Sequence, residues 1–276
     1  MSPLAPMGLL YILLLAAAEP AKVEPTHAAE AAAQKAAQDA SVDAKYFALV
    51  AKLSPAEQAW EKVLQDNLGN GFYLPAHKRD KIAGKSTAWD YVADDPKLPR
   101  VLLIGDSVSR GYTLPTRQAL AGVAHVHRAP ANCGPTAAGV KNLDVWLGTG
   151  KWDVIHFIFG IHDRGVPLKD YSARLDQIAE RLQRTGAKVI WASTTPIPDM
   201  PAQKQTAVSI IERNALALGI MQRRQIPVDD LFTAITPRLQ ELQNPNDVHF
   251  NAAGYDFLGA QVAAAIRTAL PATAAK

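Results

Sequence analysis

From residue 100 onward, short apolar runs alternate with longer stretches whose apolar residues recur at helical spacing, and this alternation constrains the fold more than any other feature. The runs occupy 101–104, 123–127, 154–159, 188–192 and a short 226–228. Helical patterns lie near 107–121, 136–147, 168–185, 202–218, 230–242 and 251–269, and Gly186 stands where the third of these should stop. A strand covered by helices on both faces has no wet side and reads as an unbroken apolar run. The pattern therefore predicts an α/β domain over 100–270, with a mostly parallel five-stranded sheet between two helical layers.

The segments before residue 100 are of another kind. Residues 7–18 form an apolar run too short for a membrane-spanning helix, which needs about 20 residues, but suited to the core of a secretory signal. No basic residue precedes it, so an uncleaved anchor is the competing reading. With 1–18 as a signal peptide, the protein is expected to be exported, periplasmic or secreted, with no stable membrane span after processing. Residues 19–44 are rich in alanine and read as a linker of helical tendency. At Ser54-Pro55-Ala56-Glu57 a capping box with proline at the first helical position announces a helix. Gly69, Gly71, Pro75, Gly84, Pro96 and Pro99 make 69–99 read as loop, so 45–99 is expected to be a helix and loop extension packed on the core.

Charge and cysteine narrow the function. The net charge is +3, with Lys and Arg scattered among acids, so no basic stripe offers a nucleic-acid face. The single cysteine, Cys133, rules out an intramolecular disulfide and reads as a buried inert thiol.

Two stretches carry candidate chemistry. The first apolar run ends in Gly105-Asp106-Ser107, which places a serine at the carboxyl edge of the sheet and at a helix N-terminus. Such a serine is either a nucleophile or simply the cap of the next helix, and these residues alone leave both open. Directly before the last helix stands Asp247-Val248-His249. A serine hydroxyl needs a base to take its proton, and that base works best when a carboxylate holds its other nitrogen. The competing reading is an acid that caps the last helix beside a surface histidine.

Together with Asn132-Cys133-Gly134-Pro135-Thr136 after the second run and Gly160-Ile161-His162-Asp163 after the third, these blocks resemble, in order and placement over 100–269, the four blocks of the SGNH, or GDSL-type, hydrolase superfamily. The resemblance implies a flavodoxin-like three-layer αβα sandwich. It implies that Ser107 attacks an ester carbonyl, that His249 is the general base and that Asp247 orients it. The oxyanion would be held by the backbone N–H groups of Ser107 and Gly134 and by an asparagine side chain. This chain departs from the pattern at the last donor, where His162 stands instead. A neutral imidazole still has one N–H to donate, so His162 is expected to substitute. Asp163 is expected to fix its tautomer, with support of neighbouring loop amides as the alternative.

Asp106, Asp163, Arg110 and Arg164, with Tyr112, stand close enough to these blocks to support the site or contact substrate. No cofactor and no metal are implied. Even so, Asp106, His162, Asp163, Asp247 and His249 offer ligands enough to keep metal-assisted hydrolysis as a competing class. The expected activity is hydrolysis of short acyl esters, with acetyl groups on a polysaccharide or other carbohydrate preferred, because export and polar strand-end loops favour a hydrated substrate. General carboxylesterase, lipase-type or acyltransferase chemistry uses the same residues. A non-catalytic carbohydrate-binding protein on the same fold is the alternative of another class. The proline-stiffened loop 194–201 is expected to shape substrate choice, and five tryptophans divide between core and a sugar-stacking platform.

Overall fold

The computed structural model describes residues 27–200 and 205–270; the expected signal segment 1–18 lies outside the described residues. No described helix is long and apolar enough to cross a membrane. Helix α1 (His27–Val50) occupies most of the stretch read as linker. Its run of Ala, Glu, Gln and Lys has high helix propensity, and Lys35 pairs with Asp39 one turn on at 2.6 Å. Residues up to Val42 and residues from Asp43 onward form two compact units.

In the second unit, α2 (Pro55–Asn67) starts where the capping box predicts. Ser54 accepts from the Glu57 backbone, and the Glu57 carboxylate accepts from the Ser54 N–H at 2.9 Å. Such a cap contributes about 1 kcal/mol. Helix α3 (Tyr73–Ile82) lies inside the stretch read as loop. It has no side-chain cap at Phe72, so local signals are weak, and a buried ionic cluster holds it instead. The Glu61 carboxylate, fully buried, accepts from Tyr46 Oη at 2.7 Å, meets His77 Nε2 at 2.8 Å and lies 2.6 Å from Lys81 Nζ. Burial alone would raise the Glu61 carboxyl, but its bonds to His77, Lys81 and Tyr46 outweigh that and bring it down to about 2. Tyr73, Trp60, Leu64, Leu68, Leu74 and Trp89 pack into a small apolar cluster beneath these helices.

The expected alternation then follows: β1 (Arg100–Ile104), α4 (Ser107–Ala119), β2 (His125–Arg128), α5 (Thr136–Leu147), β3 (Val154–Phe157), α6 (Leu168–Gln183), β4 (Lys188–Ala192), α7 (Ala207–Arg224) and β5 (Val228–Asp229). After these come α8 (Leu231–Ile235), α9 (Leu239–Leu242) and α10 (Ala252–Ala269). The sheet runs β2-β1-β3-β4-β5 with every neighbouring pair parallel. The helix expected over 230–242 is broken by a 3-10 turn at Thr236–Arg238, where Pro237 removes a donor and α8 ends.

Successive β1 residues point to opposite faces. Val101 and Leu103 pack with Tyr112 of α4 and Leu258 and Val262 of α10, while Leu102 and Ile104 pack with Trp146, Leu175, Ile178 and Ala217 of α5, α6 and α7. Burial of each such aliphatic side chain stabilises the fold by about 1.5–3 kcal/mol. The strand order reverses direction at β1, so the loops leaving β1 and β3 open side by side at one edge, where ligands bind in sheets of this kind.

Candidate active site

The turn after β1 settles what Ser107 does not do. Asp106 is the cap of α4, its Oδ1 accepting from the Val108 N–H at 3.0 Å, so the Ser107 hydroxyl is not needed as a cap. Gly105 permits this turn, because a Cβ there would stand 2.5 Å from Ile158 Cγ2 and 2.6 Å from Ser109 Oγ. Arg128 at the end of β2, buried, clamps the turn from below. Its guanidinium donates to the carbonyls of Gly105 at 2.9 Å and Asp106 at 2.8 Å and to Ser109 Oγ at 2.5 Å.

The block before α10 is equally free of its competing duty. Asn251, not Asp247, caps that helix, accepting from the Gly254 N–H at 2.9 Å. A tight turn presents Asp247 and His249: Pro245 is its second residue, Asn246 its third with φ 54°, and the Asp247 N–H closes onto the Asn244 carbonyl at 3.2 Å. The Gln243 amide ties this segment to the Pro196 carbonyl at 2.8 Å, so the loop after β4 braces it.

Across 142 residues of chain, Ser107 Oγ lies 2.7 Å from His249 Nε2, and His249 Nδ1 lies 2.8 Å from Asp247 Oδ1. With the proton on Nδ1 facing the carboxylate, the Nε2 lone pair faces the hydroxyl. Burial would raise the Asp247 carboxyl, but its bonds from the His249 side chain and backbone hold it below the ordinary carboxylate range, so it stays ionised. The Ser107 residue is 9% exposed, whereas the His249 and Asp247 side chains reach solvent.

The second block joins the first through the Cys133 N–H, which donates to the Gly105 carbonyl at 3.1 Å. Gly134 holds φ 63°, a left-handed conformation that costs other residues about 1–2 kcal/mol. Burial pushes the Cys133 thiol up to about 12, which leaves it without nucleophilic thiolate.

The third block departs from expectation. Asp163 does not hold the His162 ring. Its buried carboxylate accepts from the Thr136 N–H at 2.9 and 3.1 Å and from Thr136 Oγ1 at 2.6 Å. The reason lies in α5, whose cap position is Pro135 and makes no side-chain cap, so Asp163 supplies the missing acceptor from a distant loop. Burial pushes the Asp163 carboxyl above its ordinary value, the Thr136 bonds opposing this. His162 stands exposed on the Ile161–Asp163 turn after β3. Arg213 of α7 pins that turn, donating to the carbonyls of Asp163 at 2.8 Å and Val166 at 2.6 Å.

Other candidates separate. Tyr112 is fully buried in the core beside His156, not in a pocket. Arg164 turns back to its own loop, donating to the Ile161 carbonyl at 2.7 Å. Arg110 lies against the rings of Tyr73 and Trp89. The residues read as a metal set do not converge, since Asp106 caps α4, Asp163 binds Thr136 and Asp247 binds His249. Among the described residues no three His, Cys, Asp or Glu side chains gather to hold an ion. Arg128 and Arg213 are not legible as site residues in the sequence, because each reaches the site from an element whose own pattern announces only packing.

Residues 103–257 match the model of the GDSL-like lipase/acylhydrolase family. By sequence, no curated protein matches the chain. Among solved structures, a lipase/acylhydrolase from Enterococcus faecalis shares 23% identity at a TM-score of 0.56, covering 63% of this chain and 98% of its own. An acetylxylan esterase from Geobacillus stearothermophilus shares 16% identity at a TM-score of 0.53, covering 63% of this chain and 95% of its own. A hydrolase from Slackia heliotrinireducens of the SGNH group shares 16% identity at a TM-score of 0.53, covering 61% and 99%. The all-parallel sheet, the four blocks at its edge and the family match over more than half the sequence agree: the chain belongs to the GDSL-like lipase/acylhydrolase family.

Proposed function

We propose that the protein is a serine esterase that hydrolyses short acyl esters, with acetyl groups on carbohydrate as the favoured substrate. The observation that carries this reading is the aligned set of Ser107, His249 and Asp247, with contacts of 2.7 and 2.8 Å. In the reaction, His249 Nε2 takes the Ser107 proton as Oγ attacks the ester carbonyl, and Asp247 stabilises the imidazolium. The imidazolium then protonates the departing alcohol, leaving an acyl ester on Ser107. Water, deprotonated by the same nitrogen, attacks that ester and releases the acid. The oxyanion of each step is assigned to the N–H groups of Ser107 and Gly134 and to the His162 ring, and loss of one such donor costs about 2.7–4 kcal/mol.

The carbohydrate preference draws on the acetylxylan esterases that share this fold and on the polar loops around Ser107. Export through segment 1–18 belongs to the same reading, since polymeric acetylated substrates lie outside the cell. The test is acetate release from acetylated polysaccharides, run beside short and long p-nitrophenyl esters, for wild type and Ser107→Ala. Acetate release that Ser107→Ala abolishes supports the reading. A strong preference for acyl chains of about eight carbons or more refutes the carbohydrate part, and full activity in Ser107→Ala refutes the whole.

A further inference from the structure

Between α3 and α4 lies a cavity of about 390 Å³, within the size range of small-ligand sites and lined by Phe72, Tyr73, Trp89, Arg110 and Leu114 together with polar side chains. It adjoins Ser107. Arg110 follows Ser107 by three residues on α4, which puts both side chains on one helix face. Tyr73 lines the cavity from the α3 side.

The charges in this cavity do not balance. His77 is turned to Glu61 at 2.8 Å, and Asp80 faces Lys85 at 4.0 Å. Arg110 alone among the charged lining residues forms no ion pair within the described residues, and its shielded Nε has no hydrogen-bond partner. Its guanidinium carbon stands 5.7 Å from the Tyr73 ring centre and 5.9 Å from that of Trp89. Aromatic faces hold a guanidinium in place and shed its water, but they leave its in-plane N–H groups unsatisfied. Those groups form a rigid fork that matches a carboxylate. Phe72, 62% exposed at the mouth, gives an apolar surface to whatever carries that group.

We propose that this cavity is a subsite for a carboxylate carried by the substrate, with Arg110 as its counter-ion, so that the protein prefers esters bearing an acidic group close to the reacting carbonyl. The proposal rests on Ser107 being the nucleophile and adds the charge of the substrate to that reading.

Two matched pairs of esters test it: phenyl acetate against 4-acetoxybenzoate for a charge on the alcohol, and methyl butanoate against monomethyl succinate for a charge on the acyl side. For each pair the anionic-to-neutral ratio of kcat/KM is measured in wild type, Arg110→Gln and Arg110→Lys, with folding checked by Tm. Intrinsic reactivities cancel when ratios are compared between proteins. In one pair the wild-type ratio should fall about ten-fold in Arg110→Gln, be partly kept in Arg110→Lys, and shrink at high salt. Ratios that do not change in Arg110→Gln for either pair overturn the subsite while leaving the esterase reading intact. No hydrolysis of any of the four esters by wild type, with Ser107 unlabelled by an organophosphate, overturns both.

Discussion

Replacing Asp163 by alanine removes a joint between the third block and the start of α5. In the folded protein this carboxylate accepts the Thr136 N–H and the Thr136 hydroxyl, both fully buried. Alanine leaves two buried donors without a partner, at about 1–3 kcal/mol each, and strips α5 of the acceptor that stands in for its missing cap. The expected destabilisation is therefore about 2–5 kcal/mol, a large share of a typical domain's 5–15 kcal/mol, and it lowers Tm by roughly 5–15 °C. Gly134 lies two residues before Thr136, so the loosened loop should also cost kcat more than it raises KM. Asparagine should recover much of the stability, since its carbonyl still accepts from the Thr136 N–H. The pH dependence has a definite sign. Burial raises the Asp163 carboxyl, so its contribution is full below the ordinary carboxylate value and declines as pH rises through the raised one. The stability gap between wild type and Asp163→Asn should thus be largest in acid and shrink with rising pH. Thermal melts across pH, with kcat measured in parallel, check both points. A wild-type Tm and kcat in Asp163→Ala would refute the joint.

Other expectations follow from the same geometry. His162→Ala should lower kcat far more than it raises KM, while His162→Asn keeps substantial activity; wild-type kinetics in His162→Ala would remove the ring from the oxyanion site. Arg128→Lys keeps a buried cation but loses the fork that holds Gly105 and Asp106, so kcat should fall roughly 10–100-fold with KM nearly unchanged, as for a positioning residue. The Glu61 carboxyl is depressed to about 2, so its stabilisation is present above the ordinary carboxylate value and is lost as pH falls through about 2. Glu61→Gln should flatten the fall of Tm over that acid range, and an unchanged acid profile would count against the cluster.

Much of the fold was legible because a parallel sheet writes itself as apolar runs, and β4 occupies the predicted residues while β1 starts one residue earlier. Element ends were less legible. Strand β2 starts at His125 and not at 123, since the preceding residues close a turn in which the Val123 N–H donates to the Leu120 carbonyl at 2.9 Å. Helix α3 escaped because neither capping nor periodicity marks it, and its stability comes from Glu61, sixteen residues before His77. At the site, the Ser107 and His249 blocks could be read because each sits at a strand or helix end where its neighbour, Asp106 or Asn251, takes the structural duty of capping. Of the two roles the sequence leaves open for Asp163, adjacency favours His162, whereas the amide support found at Thr136 answers a need of α5 that is visible only in three dimensions.

Catalysis at this site requires that the imidazole of residue 249 make the hydroxyl of residue 107 reactive. Exposure of the folded protein to a fluorophosphonate, followed by peptide mass spectrometry, measures this directly. Stoichiometric modification confined to Ser107, slowed by several orders of magnitude in His249→Ala, is the predicted result. Equal labelling rates in wild type and His249→Ala, or modification elsewhere with Ser107 untouched, would contradict it.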